Sequence, residues 1–443
     1  MARANPGPSL IRPTRIVGVN VEYWPDPSTA LCLEGYTTQV MPRAPSVLAA
    51  TVTDEGVPER YAERPAIEHA DLETSLADAV DRIDDNVDQF YDRFPGPSST
   101  DLVYQPTDNA DGWTASFWTG QCWLAHEVTG RERFREAAET QLQTFDRRLE
   151  SGNVLTHDLG FLYTLSAVAG HEVTGKDRYR EMAVTAADHL ADRFWDAPGL
   201  IQAWGDPDRP EDDEWVHGRM IVDTMMNLPL LFWASEAADD DAYATIAETH
   251  ARTNAEHIVR PDGSTFHTFK CDVESGEPLG GETHQGYADD SCWARGQAWA
   301  IYGYALVAQY AKEPAYADLA AKLANYYLHR VEADHVPRWD FDAPDDDAVR
   351  DTSAAAIAAC GLVELASVLP VADERADRYR NAALATLDSL GAHYAADPGR
   401  SKGLLTDAAY ARGDGDYDEC CIWGDYFYVE GLVRATEHWR RYW

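Results

Sequence analysis

A closed ring of helix pairs, the (α/α)6 barrel, is the fold class that this all-α sequence predicts. Three observations carry the expectation. Five segments share one local helical pattern, a sixth amphipathic helix precedes them, and strongly apolar helices alternate with these six.

The shared pattern is an aromatic residue four positions before an alanine. It occurs as Phe134 and Ala138, Tyr179 and Ala183, Tyr243 and Ala247, Tyr316 and Ala320, and Tyr379 and Ala383. That spacing puts both side chains on one face of a helix. The segments follow turn-like stretches such as VTG. The preceding helix lacks the aromatic, but Leu72, Leu76, Val80, Ile83, Val87, Phe90 and Phe94 step by three or four, as one helix face requires. The intervening stretches are FWTGQCWLAHEVTG, GFLYTLSAVAGHEVTG, MIVDTMMNLPLLFWAS, CWARGQAWAIYGYALVAQ, TSAAAIAACGLVELASVL and GDYFYVEGLVRATEHW. They are apolar nearly all round, so they predict buried helices. A linear solenoid is the alternative for such pairs. Ring closure is favoured because the polar residues of the buried helices gather at their N-terminal ends, where one pocket could be shared. The barrel is expected over residues 69–443. Residues 1–68, rich in proline and turn formers, are expected as an irregular extension, packed on the barrel or partly disordered.

Composition narrows the function. Acidic residues number 76 against 37 basic ones, a net charge of −39. Lysine is confined to Lys176, Lys270, Lys312, Lys322 and Lys402. Such a chain repels itself at low ionic strength and is screened in molar salt, where the Debye length falls to about 3 Å. The reading is a halophile's protein. No basic patch offers itself to phosphates, which argues against nucleic acid. There is no long apolar span and no secretory h-region, which points to a cytoplasmic protein without a membrane anchor. The seven cysteines show no CxxC spacing, so they read as buried free thiols rather than a disulfide framework or zinc site. Oligomeric state leaves no mark in the sequence.

The candidate chemistry lies in the loops that enter the apolar helices. DGWTASFWTG carries Trp113 and Trp118, THDLGF carries His157 and Asp158, Trp204 precedes Asp223 in IVDTMMN, and FHTF holds His267. THQGYADDSCWARGQAW adds His284, Gln285, Trp293, Arg295 and Trp299; PRWDFDAP and DECCIWGDYFY follow with Trp339, Asp340, Trp423 and Asp425. Indole faces at a pocket mouth suit sugar rings, although a lone tryptophan is as readily core. Asp158 and Asp223 stand inside apolar stretches. Burial raises a carboxyl's pKa and suits it to general acid catalysis. The structural alternatives are a helix N-cap for Asp158 and a buried structural hydrogen bond for Asp223. The histidines match no metal spacing and read as substrate hydrogen-bonding groups, with no metal or cofactor expected. EDDEW near residue 212 reads as a solvated acidic loop.

Taken together, LTHDLGFLY, IVDTMMNLPLLFWAS, FHTF, DDSCWARGQAWAIYGYA, WDFDAP with DTSAAAIAA, and IWGDYFYVEGL resemble glycoside hydrolase family 88, the unsaturated glucuronyl hydrolases, over residues 70–443. The resemblance implies an (α/α)6 barrel and removal of a 4,5-unsaturated uronic acid from the non-reducing end of lyase-generated oligosaccharides. The implied route is hydration of the C4=C5 vinyl ether, with Asp223 as acid and base and Asp158 assisting. It implies substrate contacts at Trp118, His157, Trp204, His267, Gln285, Trp293, Arg295 and Trp299, and an unsaturated oligosaccharide as the substrate partner. The loop around Trp204 is longer and more acidic than the family pattern, and the N-terminal extension also departs from it. Unsaturated rhamnogalacturonyl hydrolases share the barrel and reaction. An N-acylglucosamine-type epimerase on the same toroid would work through histidines, and a non-catalytic sugar-binding protein would keep the tryptophans alone. Arg295 could instead pair internally with Asp289 or Asp290.

Overall fold

The computed structural model describes residues 44–209, 214–436 and 442–443. In chain order its long helices are α1 His69–Val87, α2 Ala115–Thr129 and α3 Glu132–Ser151. Next comes α4, formed by Leu159–Tyr163 and Ala169–Thr174 with one π-helical stretch, Thr164–Val168, between them. Then follow α5 Asp177–Ala191, α6 Leu228–Ala238, α7 Asp241–His257, α8 Ala294–Tyr310, α9 Pro314–Arg330, α10 Thr352–Val368, α11 Arg375–His393 and α12 Ile422–Thr436.

The even-numbered helices are inner and the odd-numbered ones outer. From Ala294 to Ala308, α8 is buried on every side, whereas α3 and α5 bury only a stripe. Burial without a polar face is what an inner layer demands. The aromatic and alanine pairs sit on the buried stripes of the outer helices. Phe134, Tyr179, Tyr316 and Tyr379 are buried; Tyr243 is half-buried and gives its hydroxyl to Asp188. The ring closes because α12 packs against both α1 and α2, which a solenoid could not do. Gly130 and Gly175, the glycines of the two VTG stretches, end α2 and α4 with φ of 67°, a left-handed conformation that favours glycine.

The helical stretches differ from expectation in two places. The periodicity of α1 runs to Phe94, but the helix ends at Val87; Phe90 and Phe94 are buried beyond it. IVDTMMN does not join the helix that follows. Arg219–Ile221 is a strand (β1), Val222–Met226 is a 3-10 turn, and α6 begins at Leu228 with Pro229 in its first turn. Proline is tolerated there and would break a helix interior. Strand β1 pairs antiparallel with β2, Thr268–Cys271, which pairs antiparallel with β3, Pro278–Glu282. This small sheet, inserted in the helical fold, carries the approach to two site residues.

Of the expected extension, residues 44–68 are described and pack on the barrel. A short helix, Pro45–Thr51, lies against α9, where Lys322 donates to the carbonyls of Ala49 and Val52 at 2.6 and 2.9 Å. The remainder of the 1–68 stretch lies outside the described residues, as does Cys32. The six described cysteines are all buried and free. No helix among the described residues is long and apolar enough to cross a membrane.

Candidate active site

Asp223 stands where β1 turns into the 3-10 segment. The Val222 N–H donates to the His267 carbonyl at 3.0 Å, which ties that turn to the segment entering β2. The Asp223 side chain is 13% exposed. Its Oδ2 is buried and makes no hydrogen bond, so no structural hydrogen bond occupies it. Burial pushes its pKa up to about 7; Asp158 nearby adds to the rise, while Arg295 and the Trp299 indole N–H temper it. The Trp299 Nε1 is itself buried without a geometrically sound partner.

The His267 ring faces Asp223, with Nε2 at 3.9 Å from Oδ2. Its Nδ1 accepts the backbone N–H groups of His284 and Gln285 at 3.2 and 3.1 Å. The neutral ring therefore carries its proton on Nε2, toward the carboxyl. Burial holds His267 well below the usual imidazole range, so it stays neutral.

Asp158 occupies the N-cap position of α4, yet its side chain caps nothing. It accepts the Thr156 hydroxyl at 2.7 Å, and His157 Nε2 lies 3.4 Å from its Oδ1. The proton on that imidazole can also be placed. Asn227 Oδ1 accepts the Phe161 N–H at 2.6 Å, which orients the amide and leaves Nδ2 to donate to His157 Nδ1 at 3.2 Å. His157 thus presents Nε2–H to Asp158, and burial lowers its pKa. Each acid is faced by the N–H of a neutral imidazole.

One glycine sets how close the two acids come. A Cβ built on Gly160 would lie 2.3 Å from Asn227 Cα. Only glycine lets the first turn of α4 seat on the backbone that leaves Asp223.

The remaining expected residues divide. Trp204, half-buried, stacks on Trp215 at 5.6 Å and stands edge-on to His157. Trp293 packs on His267 with centroids 4.2 Å apart. Gln285 donates to the Tyr410 carbonyl at 2.8 Å. Trp299 is fully buried beneath Asp223, against Phe161 and Phe427, and offers its N–H rather than an open face.

Two expectations are corrected. Trp118 is not brought to this group. It is 1% exposed, and its indole N–H donates to the Phe90 carbonyl at 2.9 Å, which turns it outward between the helix layers. Trp113 stands on the site side instead, half-buried, 5.0 Å from Trp423 and with its N–H 3.3 Å from the Tyr410 hydroxyl. Arg295 does form an internal ion pair, but with neither Asp289 nor Asp290. Its Nη1 meets Asp351 Oδ2 at 2.8 Å and the Ala409 carbonyl at 2.6 Å, and its Nη2 donates to the Tyr410 carbonyl at 2.8 Å. It lies over Trp293 and Trp423 at 4.3 and 5.1 Å. Arg295 is an internal cation that tempers Asp223.

Sequence reasoning missed Trp215 and Asn227. The first was hidden in a stretch read as solvated acid. The second's role depends on a close approach across 67 positions of chain that no local pattern reports. Among the described residues, no three His, Cys, Asp or Glu side chains converge as metal ligands would.

Such an arrangement of side chains, in a barrel of paired helices, belongs to the class of sugar-processing enzymes that move protons with carboxyls: a glycoside hydrolase. The chain belongs to Glycosyl Hydrolase Family 88, whose profile matches residues 83–430. It is 41% identical to the unsaturated chondroitin disaccharide hydrolase of Streptococcus pneumoniae over 87% of this chain and 97% of that protein. It is also 41% identical to the unsaturated glucuronyl hydrolase of Bacillus sp. strain GL1, over 83% and 98% of the two chains. The crystal structure of the Bacillus enzyme matches with a TM-score of 0.78, covering 82% of this chain and 96% of that one. That of unsaturated glucuronyl hydrolase from Streptococcus agalactiae matches at 0.84 with 36% identity, covering 88% and 99%.

Proposed function

We propose that the protein removes the 4,5-unsaturated uronic acid from the non-reducing end of lyase-generated oligosaccharides by hydrating its C4=C5 bond. The observation that carries the reading is Asp223, a buried carboxyl that holds its proton near neutrality and has no internal partner for Oδ2. Asp223 gives that proton to C4. A water adds at C5 and returns a proton to the Asp223 carboxylate. The hemiketal formed at C5 opens to a ketone and leaves a hemiacetal at C1, whose collapse to the aldehyde breaks the C1–O bond and releases the remaining sugar. Asp158 hydrogen-bonds within the pocket, and the imidazoles of His157 and His267 donate from Nε2 without titrating. An epimerase needs histidines that exchange protons, which two buried neutral rings with engaged Nδ1 atoms do not favour. Trp204, Trp293 and Gln285 frame the sugar, with Trp113 in the place first expected of Trp118.

The relatives named for glucuronyl and chondroitin substrates support a glucuronyl over a rhamnogalacturonyl substrate. One S. agalactiae structure holds dGlcA-GalNAc6S, which supports a disaccharide of that general size. Six buried free thiols suit a reducing cytoplasm. The charge of −39 suits a halophile; the melting temperature is expected to rise steeply from low to molar KCl, and a flat profile contradicts that origin.

The test of the activity is direct. Incubation with an unsaturated glucuronyl disaccharide should abolish the ultraviolet absorbance of the conjugated double bond. Persistence of that absorbance with every unsaturated uronide rejects the reading.

A further inference from the structure

The half-buried indole of Trp204 is held from behind. Trp215 stacks on it almost parallel, at 14° and 5.6 Å. The Arg219 guanidinium covers Trp215 at 4.1 Å from the ring. Trp215 is thus held by both Trp204 and Arg219, and the His284 ring lies 5.2 Å from Trp204 and 5.6 Å from Trp215. The stack is anchored at its far end. Arg219 is 1% exposed; its Nη2 meets Glu282 at 3.1 Å, its Nη1 donates to the Thr268 hydroxyl at 2.8 Å, and its Nε donates to the Trp215 carbonyl at 2.8 Å. Trp215 gives its own N–H to Glu282 at 3.1 Å. The near end of the stack runs to His157, edge-on to Trp204, and so to Asp158. The order from β1 and β3 to the acid pair is therefore guanidinium, indole, indole, imidazole, carboxyl.

We infer that Trp215 is a positioning residue for substrate recognition: it presets Trp204 as the wall for the leaving sugar, the ring released when the unsaturated uronide is cut away. This rests on the proposed activity and on Trp204 touching sugar. A prestacked indole loses no rotamer freedom when a sugar docks, which is affinity gained through pre-organisation rather than new contact.

The experiment compares Trp215→Ala, Trp215→Phe and wild type on two substrates: an unsulfated unsaturated disaccharide and the methyl glycoside of the unsaturated uronic acid. An aromatic stack contributes about 0.5–1.5 kcal/mol, so Trp215→Ala should raise KM for the unsulfated disaccharide by about 2- to 10-fold while kcat holds. The methyl glycoside, which has no leaving ring, should show unchanged KM, and Trp215→Phe should recover most of the loss. A wild type inactive on both rejects the activity itself. An active wild type whose Trp215→Ala variant is unchanged, or is weakened equally on the methyl glycoside, overturns the role of Trp215.

Discussion

Two buried carboxyls, Asp223 and Asp425, have the same acidity and opposite surroundings. Burial pushes both up to about 7. Asp425, in the first turn of α12, is fully engaged: Oδ1 accepts the N–H groups of Leu404 and Leu405 at 3.0 and 3.1 Å, and Oδ2 accepts the Tyr104 hydroxyl at 2.8 Å. It knots three separate stretches of chain at one point. Asp223 has an empty Oδ2 beside a donor imidazole. A shifted pKa alone therefore does not mark a catalytic acid. The distinguishing sign is an acid whose hydrogen-bonding capacity the fold leaves unused, because an unsatisfied buried group is tolerated only where something else compensates.

Substitution should separate the two sites sharply. Asp223→Asn keeps the shape and removes the transferable proton, so kcat should fall on the order of 10²- to 10⁴-fold with KM little changed. Retention of most wild-type turnover removes Asp223 from the chemistry. Asp425→Ala should do the reverse. It strands three donors at roughly 1–3 kcal/mol each, so denaturant melts should show a loss of about 3 kcal/mol or more. Turnover per folded molecule should stay near wild type, and a selective loss of kcat would break the comparison.

A third prediction uses pH. A carboxyl whose pKa is raised on folding binds more protons folded than unfolded between its ordinary range and about 7. Stability therefore falls as pH rises through that window. Asp223→Asn removes that dependence. Its advantage in melting temperature over wild type should grow from pH 4 to pH 7 and then level off. The upper bound is about 4 kcal/mol for a three-unit shift, and less where solvent reaches the group. A constant offset across pH contradicts the raised acidity. The smallest effect is expected at Trp299→Phe. Loss of the indole N–H lets Asp223 rise further, so the alkaline limb of the activity profile should move upward. A limb that stays in place shows that the indole does not act on the acid.

Much of the barrel was legible because inner and outer helices obey different rules. An all-round apolar run such as TSAAAIAACGLVELASVL can only be buried, and it forms α10. The aromatic and alanine pairs mark outer helices because that spacing fixes one face. The misreadings arose where one residue overrides periodicity. Pro229 delays α6, and the intervening turn is what sets Asp223 beside His267. At the site, Asp158 and Asp223 stood out because a charge inside an apolar run needs a reason. Side-chain direction was not legible. Trp113 and Trp118 lie five positions apart on the same approach, and only packing shows that one faces the pocket and the other Phe90. The partner of Arg295 was missed for the same reason: Asp351 is 56 positions away, whereas Asp289 and Asp290 are merely close in sequence.

The contact at Gly160 has a consequence for how this enzyme can vary. The spacing of the acids is gauged by one hydrogen atom, since nothing larger fits against the Asn227 backbone. A lineage could keep both aspartates, both imidazoles and every indole, acquire a single methyl group at position 160, and lose the alignment that makes them work together. A search of related genomes for functioning members should therefore read position 160 alongside the acids, because the acids by themselves report the parts and not their fit.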